Sequence, residues 1–140
     1  WANVQVLPVQ IPLIEECFNR IKRKKPDAMV VAHIYDEHVD VLAFLDGKMQ
    51  LCNTYFQSGK EDIAYYLLYA AEVLDLNPES VPLYLAGTIA KKDSAWELLA
   101  NYWVNIELLS PLDHLKLSDA LKEAPSGQFG FLTHALLCAS

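Results

Sequence analysis

The chain has 140 residues, 53% of them hydrophobic, and a formal net charge of −7 at pH 7. That length suits one domain, and five Gly with seven Pro exclude a collagen-like or disordered chain. No apolar run reaches the roughly 18 residues of a membrane span, and Trp1-Ala2-Asn3 lacks the basic-then-apolar start of a signal peptide. The chain does not begin with Met, which leads us to expect a piece of a longer protein.

Asn3 to Val9 alternates and is rich in Val, which predicts a short strand. Leu13, Cys17 and Ile21 recur at helical spacing, predicting a helix over 12–25 that Pro26 stops. Five bases (Arg20, Lys22, Arg23, Lys24, Lys25) crowd its end, where the helix dipole favours them. From residue 26 onward six bases face sixteen acids, a net of −10, and such a surface repels nucleic acid.

Ala28 to Tyr35, His38 to Leu45 and Lys48 to Tyr55 read as three strands joined by tight turns. Asp36-Glu37 forms the first turn, and Asp46-Gly47 suits the type I′ geometry of the second. Two-residue loops predict the register. His33 faces Asp40, Tyr35 faces His38, Asp40 faces Asn53, Leu42 faces Leu51, and Phe44 faces Met49. Val39, Val41, Ala43 and Leu45 form the other face of the middle strand, so it needs cover on both sides.

Ser58 to Glu61 reads as a capping box that starts a helix running to about Leu76, with Ile63, Leu67, Ala70 and Leu74 as its apolar stripe. Val81 to Ala86 is a fourth strand closed by Gly87. Ser94 to Glu97 is a second capping box, opening a helix over 94–103. Asn105 to Leu109 is a fifth strand, 111–123 a loop with some helix, and Phe131 to Ala139 a last helix. The order from residue 28 is β-β-β-α-β-α-β-α. It predicts an α/β domain over 29–140, a five-stranded mixed sheet with helices on both faces, as in ribonuclease H-like proteins. Residues 1–28 read as the tail strand and helix of a preceding half.

Cys17, Cys52 and Cys138 are odd in number and widely spaced, each beside apolar residues. This excludes a disulfide framework and a structural zinc site, and it predicts buried, inert thiols in the cytoplasm.

Val30 to Gly87 resembles the second half of the actin-like ATPase, sugar kinase and heat-shock chaperone superfamily. The run from Val39 to Lys48 through Asp46-Gly47 looks like its second and third strands, and Ser58-Gly59-Lys60-Glu61-Asp62-Ile63 like a helix start of its pilus-assembly and cell-division members. Leu83-Tyr84-Leu85-Ala86-Gly87-Thr88 looks like its adenosine-binding corner. Asn53-Thr54-Tyr55-Phe56, Glu61 to Leu68, Leu85-Ala86-Gly87 and Ala135 to Cys138 together are similar to the C-terminal half of an uncharacterised bacterial family, domain of unknown function 3822, with a duplicated actin-like fold. The resemblance implies ATP and Mg in a cleft lined by His33, Tyr35, Gly87 and Thr88. It also implies Asp-x-Gly at the end of the first strand, where this chain has His33-Ile34-Tyr35, and a second Gly where it has Thr88. The carboxylate is absent and Tyr stands where Gly lets phosphate approach. We therefore expect a degenerate nucleotide cleft, no cofactor and no catalytic residue.

Two further sets stand out. His33, His38 and Asp40 share a face on the predicted register, and two imidazoles with a carboxylate suit a transition metal. The plainer reading pairs His33 with Asp40 across strands. Tyr65 and Tyr69 share a helix face, either as a partner-binding stripe or as rings half-buried on the sheet. Three functions remain. The first is a non-catalytic binding or scaffold module, bacterial and cytoplasmic, whose apolar face is covered by a missing N-terminal half or a second copy. The second is an actin-like ATPase linked to envelope or pilus assembly. The third is a metal-dependent hydrolase.

Overall fold

Val30, Val31 and Ala32 are consecutive and have no exposed surface, so the strand that carries them must lie between two layers. The computed structural model describes residues 10–109. Its elements are α1 (Gln10–Lys24), β1 (Ala28–Ile34), β2 (His38–Leu45), β3 (Lys48–Phe56), α2 (Lys60–Val73), β4 (Leu83–Gly87), α3 (Ser94–Leu99) and β5 (Ile106–Leu108). The strands form one mixed five-stranded sheet in the order β3-β2-β1-β4-β5. β1 pairs antiparallel with β2 and parallel with β4, as the β-β-β-α-β order requires. The strand predicted over 3–9, the segment 111–123 and the helix over 131–139 lie outside the described residues, as does Cys138.

α2 and α3 cover one face of the sheet. Ile63, Leu67, Ala70 and Ala71 of α2 meet Val30, Ala32, Val41, Leu83 and Leu85. Burying a side chain such as Leu67 or Leu85 contributes about 2 kcal/mol. α1 covers the other face, with Leu13 and Cys17 against Met29, Val31, Leu42, Phe44 and Tyr84. α1 also carries a polar anchor. The Arg20 guanidinium lies 4.6 Å from the centre of the Tyr84 ring and 3.7 Å from Glu107, and Glu16 accepts from Arg23 at 2.9 Å. The Arg20 contacts tie α1 to β4 and β5.

The hairpins follow the sequence closely. Tyr35 N–H donates to His38 O at 2.9 Å across Asp36-Glu37, and Asp46 and Gly47 have φ of 50° and 73°, as a type I′ turn demands. The β2–β3 register does not follow. Phe44 pairs with Met49, but Ala43 pairs with Leu51, so Gln50 is left over in a bulge. Beyond it each pair slips by one. Leu42 meets Cys52 rather than Leu51, and Asp40 meets Thr54 rather than Asn53. The slip moves Leu51 and Tyr55 to the α2 side, where both pack on the core. It also leaves Cys52 exposed, against expectation, whereas Cys17 is buried and its thiol is pushed up to about 12, chiefly by that burial.

Both capping boxes resolve differently. At α2, Asp62 rather than Glu61 reaches back, accepting from Ser58 N–H at 2.8 Å, and Gly59 is the cap residue. At α3 the cap is Asp93, which accepts from Trp96 N–H at 2.8 Å. α3 ends at Leu99 rather than 103, and a following turn, with Trp103 N–H donating to Leu99 O at 2.9 Å, buries Trp103. β4 begins at Leu83 rather than Val81, because Pro82 has no N–H and Val81 N–H is spent on Asn77 O.

β4 ends at Gly87, with φ of +90°. A Cβ there would overlap the Ile34 carbonyl oxygen and stand 2.9 Å from the carbonyl carbon. Only glycine lets β4 close on β1 at this point. Gly87→Ala should cost about 3 kcal/mol or more. The urea midpoint of the variant measures it, and an unchanged midpoint would refute the close approach.

Candidate functional site

The polar end of the sheet is built where β1 and β4 finish side by side. Ile34 pairs with Gly87, and Thr88 N–H donates to Ile34 O at 2.9 Å. The β1–β2 turn lies next to this corner. Gln57 Nε2 clamps the turn by donating to Tyr35 O and Asp36 O, each at 2.9 Å. Between turn and corner runs an open cleft of about 440 Å³, lined by Tyr35, Asp36, Glu37, His38 and Thr88.

Of the four residues expected to line this cleft, Tyr35 and Thr88 do so. His33 lies behind them, 5% exposed, with its ring edge-on to Tyr35 at 4.3 Å. Gly87 is buried in the sheet and acts on the backbone. The sequence reading missed Asp36, Glu37, Thr54 and Gln57. The first two were read only as a turn, and Thr54 was displaced by the bulge.

Asp40 holds the interior together. It is 1% exposed and pairs with His33 across β1 and β2. Its carboxylate accepts from Thr54 Oγ1 and from Tyr35 OH, the latter at 3.2 Å. Burial, then the Asp40 charge and hydrogen bond, raise the Tyr35 phenol above its ordinary value, so it stays a donor. Burial also lowers His33 to about 4, against the opposing pull of Asp40, so its imidazole is neutral near pH 7. The Tyr35 ring stacks on His38 at 4.2 Å, with 18° between planes. Tyr35 thus packs against both imidazoles. Among the described residues no group of three His, Cys, Asp or Glu side chains is placed to hold a metal ion, the trio His33, His38 and Asp40 included.

The described lining is a poor match for the phosphates of a nucleoside triphosphate. Among the described residues the cleft is lined by the Asp36 and Glu37 carboxylates, the Tyr35 and His38 rings and the Thr88 hydroxyl, with no Lys or Arg. Carboxylates repel phosphate, and the Tyr35 side chain stands where a bare backbone would have to meet it. The lining suits aromatic or cationic groups better than anions.

His33 carries a pH signature. Its folded value, about 4, lies below the unfolded value of 6.5, so between them the unfolded chain binds the extra proton. The stability due to neutral His33 is present above about pH 6.5 and is lost as pH falls toward about 4. NMR titration of the imidazole should show no protonation until close to that lower value. A midpoint at the ordinary histidine value would contradict the buried arrangement.

Comparison with known proteins agrees with this architecture. A search of curated proteins finds no match. A Bacteroides thetaiotaomicron VPI-5482 protein of unknown function with an actin-like ATPase fold superposes with a TM-score of 0.70 at 24% identity, covering 93% of this chain and 44% of that one. A PilM–PilN type IV pilus biogenesis complex matches with a TM-score of 0.74 at 14% identity, over 97% of this chain and 53% of that one. The AlfA filament from a B. subtilis plasmid gives 0.53 at 15% identity, over 86% and 42%. This chain therefore spans about half the length of the solved structures it matches. At these identities the likeness establishes the fold, that of half an actin-like ATPase. A family profile matches residues 1–106, and the chain belongs to the family described as Protein of unknown function (DUF3822).

Proposed function

We propose that this chain is a non-catalytic binding or scaffold module, an actin-like half whose cleft no longer handles phosphate. The observation that carries this reading is Tyr35. It follows β1 directly, packs against His33 and His38, and is hydrogen-bonded to buried Asp40. A residue so fixed cannot yield its place to a phosphate chain, and Asp36 and Glu37 beside it add repulsion. The apolar surface of such a half is covered by the remainder of the protein or by a second copy. Free Cys17 and Cys52 support a reducing, cytoplasmic setting, and the acidic surface supports a protein partner over nucleic acid.

One observation favours a second reading, an ATPase tied to envelope or pilus assembly. The Gly87-Thr88 corner keeps its place beside the end of β1, and one similar structure is a pilus biogenesis complex. Thermal unfolding with and without millimolar Mg-ATP separates the two. A ligand at about 100 times its Kd adds about 2.7 kcal/mol, worth several degrees in a small domain. We expect no shift. A clear shift that Thr88→Trp abolishes would establish the ATPase reading. Gly87 is unsuitable for this test, because a side chain there breaks the sheet itself.

A further inference from the structure

Among the described residues, the outer face of α2 carries aromatic rings that stand exposed. Tyr65 is 62% exposed, Tyr69 48% and Val73 58%, at successive four-residue steps along one stripe. The Tyr65 and Tyr69 rings stack at 6.2 Å with 13° between planes. Behind them the ladder continues inward. Tyr65 meets Tyr66 edge-on at 5.4 Å, and Tyr66 stacks at 4.3 Å on Tyr55 of β3. The exposed rings are therefore braced by half-buried ones anchored to the sheet. Rings already ordered lose little entropy on binding, and tyrosine is enriched where binding energy concentrates.

Charge defines what such a surface can receive. Glu61 stands one turn before Tyr65, and Glu72 stands three residues after Tyr69, both exposed. After Lys60 the helix has no basic residue, and its last turn has none. Ring faces and carboxylates both attract cations, so the two features select the same ligand. An anionic lipid surface or a nucleic acid is repelled here. A purely apolar partner would desolvate both carboxylates without compensation. A second copy of this chain carries a net charge of −7 and so brings like charge to this face.

We infer that the Tyr65–Tyr69 face of α2 docks a Lys- or Arg-rich amphipathic helix of a different protein. This rests on the binding-module reading and names its partner's chemistry. Lys or Arg side chains lie over the two rings and pair with Glu61 and Glu72, while the apolar positions of the partner meet Val73.

The probe is a synthetic helical peptide with Leu and Lys at amphipathic spacing, titrated into the protein by calorimetry at about 0.15 M salt. The control is the same peptide with Glu in place of every Lys. The Lys peptide should bind and the Glu peptide should not. The pair Tyr65→Ala and Tyr69→Ala should weaken binding about tenfold or more, and Tyr65→Phe with Tyr69→Phe should retain most of it. Glu61→Gln with Glu72→Gln should weaken binding and flatten its salt dependence. Failure of the Lys peptide to bind, equal binding of the Glu peptide, or indifference to the Ala pair would overturn the inference. Concentration-dependent self-association removed by the Ala pair would overturn it too, by assigning the face to a second copy. Mg-ATP melting reads the cleft separately, so a nucleotide response with intact peptide binding would sink the cleft reading alone.

Discussion

The parallel seam between β1 and β4 is the constraint on which the rest depends. β1 is buried on both faces, so every backbone group it carries must be satisfied by a neighbouring strand. β2 supplies one side by hairpin. β4 can supply the other only after a crossover, which α2 makes over one face of the sheet. The seam closes where Gly87 meets the Ile34 carbonyl, a contact that tolerates no Cβ. That closure places Thr88 beside the β1–β2 turn and so creates the cleft.

Beside this closure the polar cluster of β1 and β2 is interior. Asp40 is deeply buried, and its oxygens are engaged by Thr54 and Tyr35. Burial keeps His33 neutral and Tyr35 protonated. A buried carboxyl group needs hydrogen-bond partners, and the Thr54 and Tyr35 hydroxyls supply them. What faces the cleft is instead a stacked pair of rings, Tyr35 and His38, edged by Asp36 and Glu37.

Fold and function rest on different parts of the chain. The family profile covers residues 1–106, and the solved structures share the fold at identities of 24% or less. Site chemistry is carried by single side chains, and it changes within one fold. Among the described residues no helix is long and apolar enough to cross a membrane. The described surface of this chain carries a ring-lined cleft and an aromatic, acidic face on α2.

Much of this was legible in the residues themselves. Local rules sufficed for the turns at Asp36-Glu37 and Asp46-Gly47, the span of β2, the buried stripe of α2 and the pairing of His33 with Asp40. Turn chemistry and hydrophobic period act within a few residues, so they are written in the chain. The β2–β3 bulge was not legible. An unpaired Gln50 has no local signature, and it exists because Leu51 and Tyr55 gain burial against α2. That long-range gain chose Thr54 over Asn53 as the partner of Asp40, and it exposed Cys52. The choice of Asp93 and Asp62 as helix-capping side chains was likewise made by the path of the chain into each helix. The sequence by itself determined the elements, their order and the residue types at the cleft. Only the tertiary structure decided which of those residues face solvent, because burial is a competition between segments far apart in the chain.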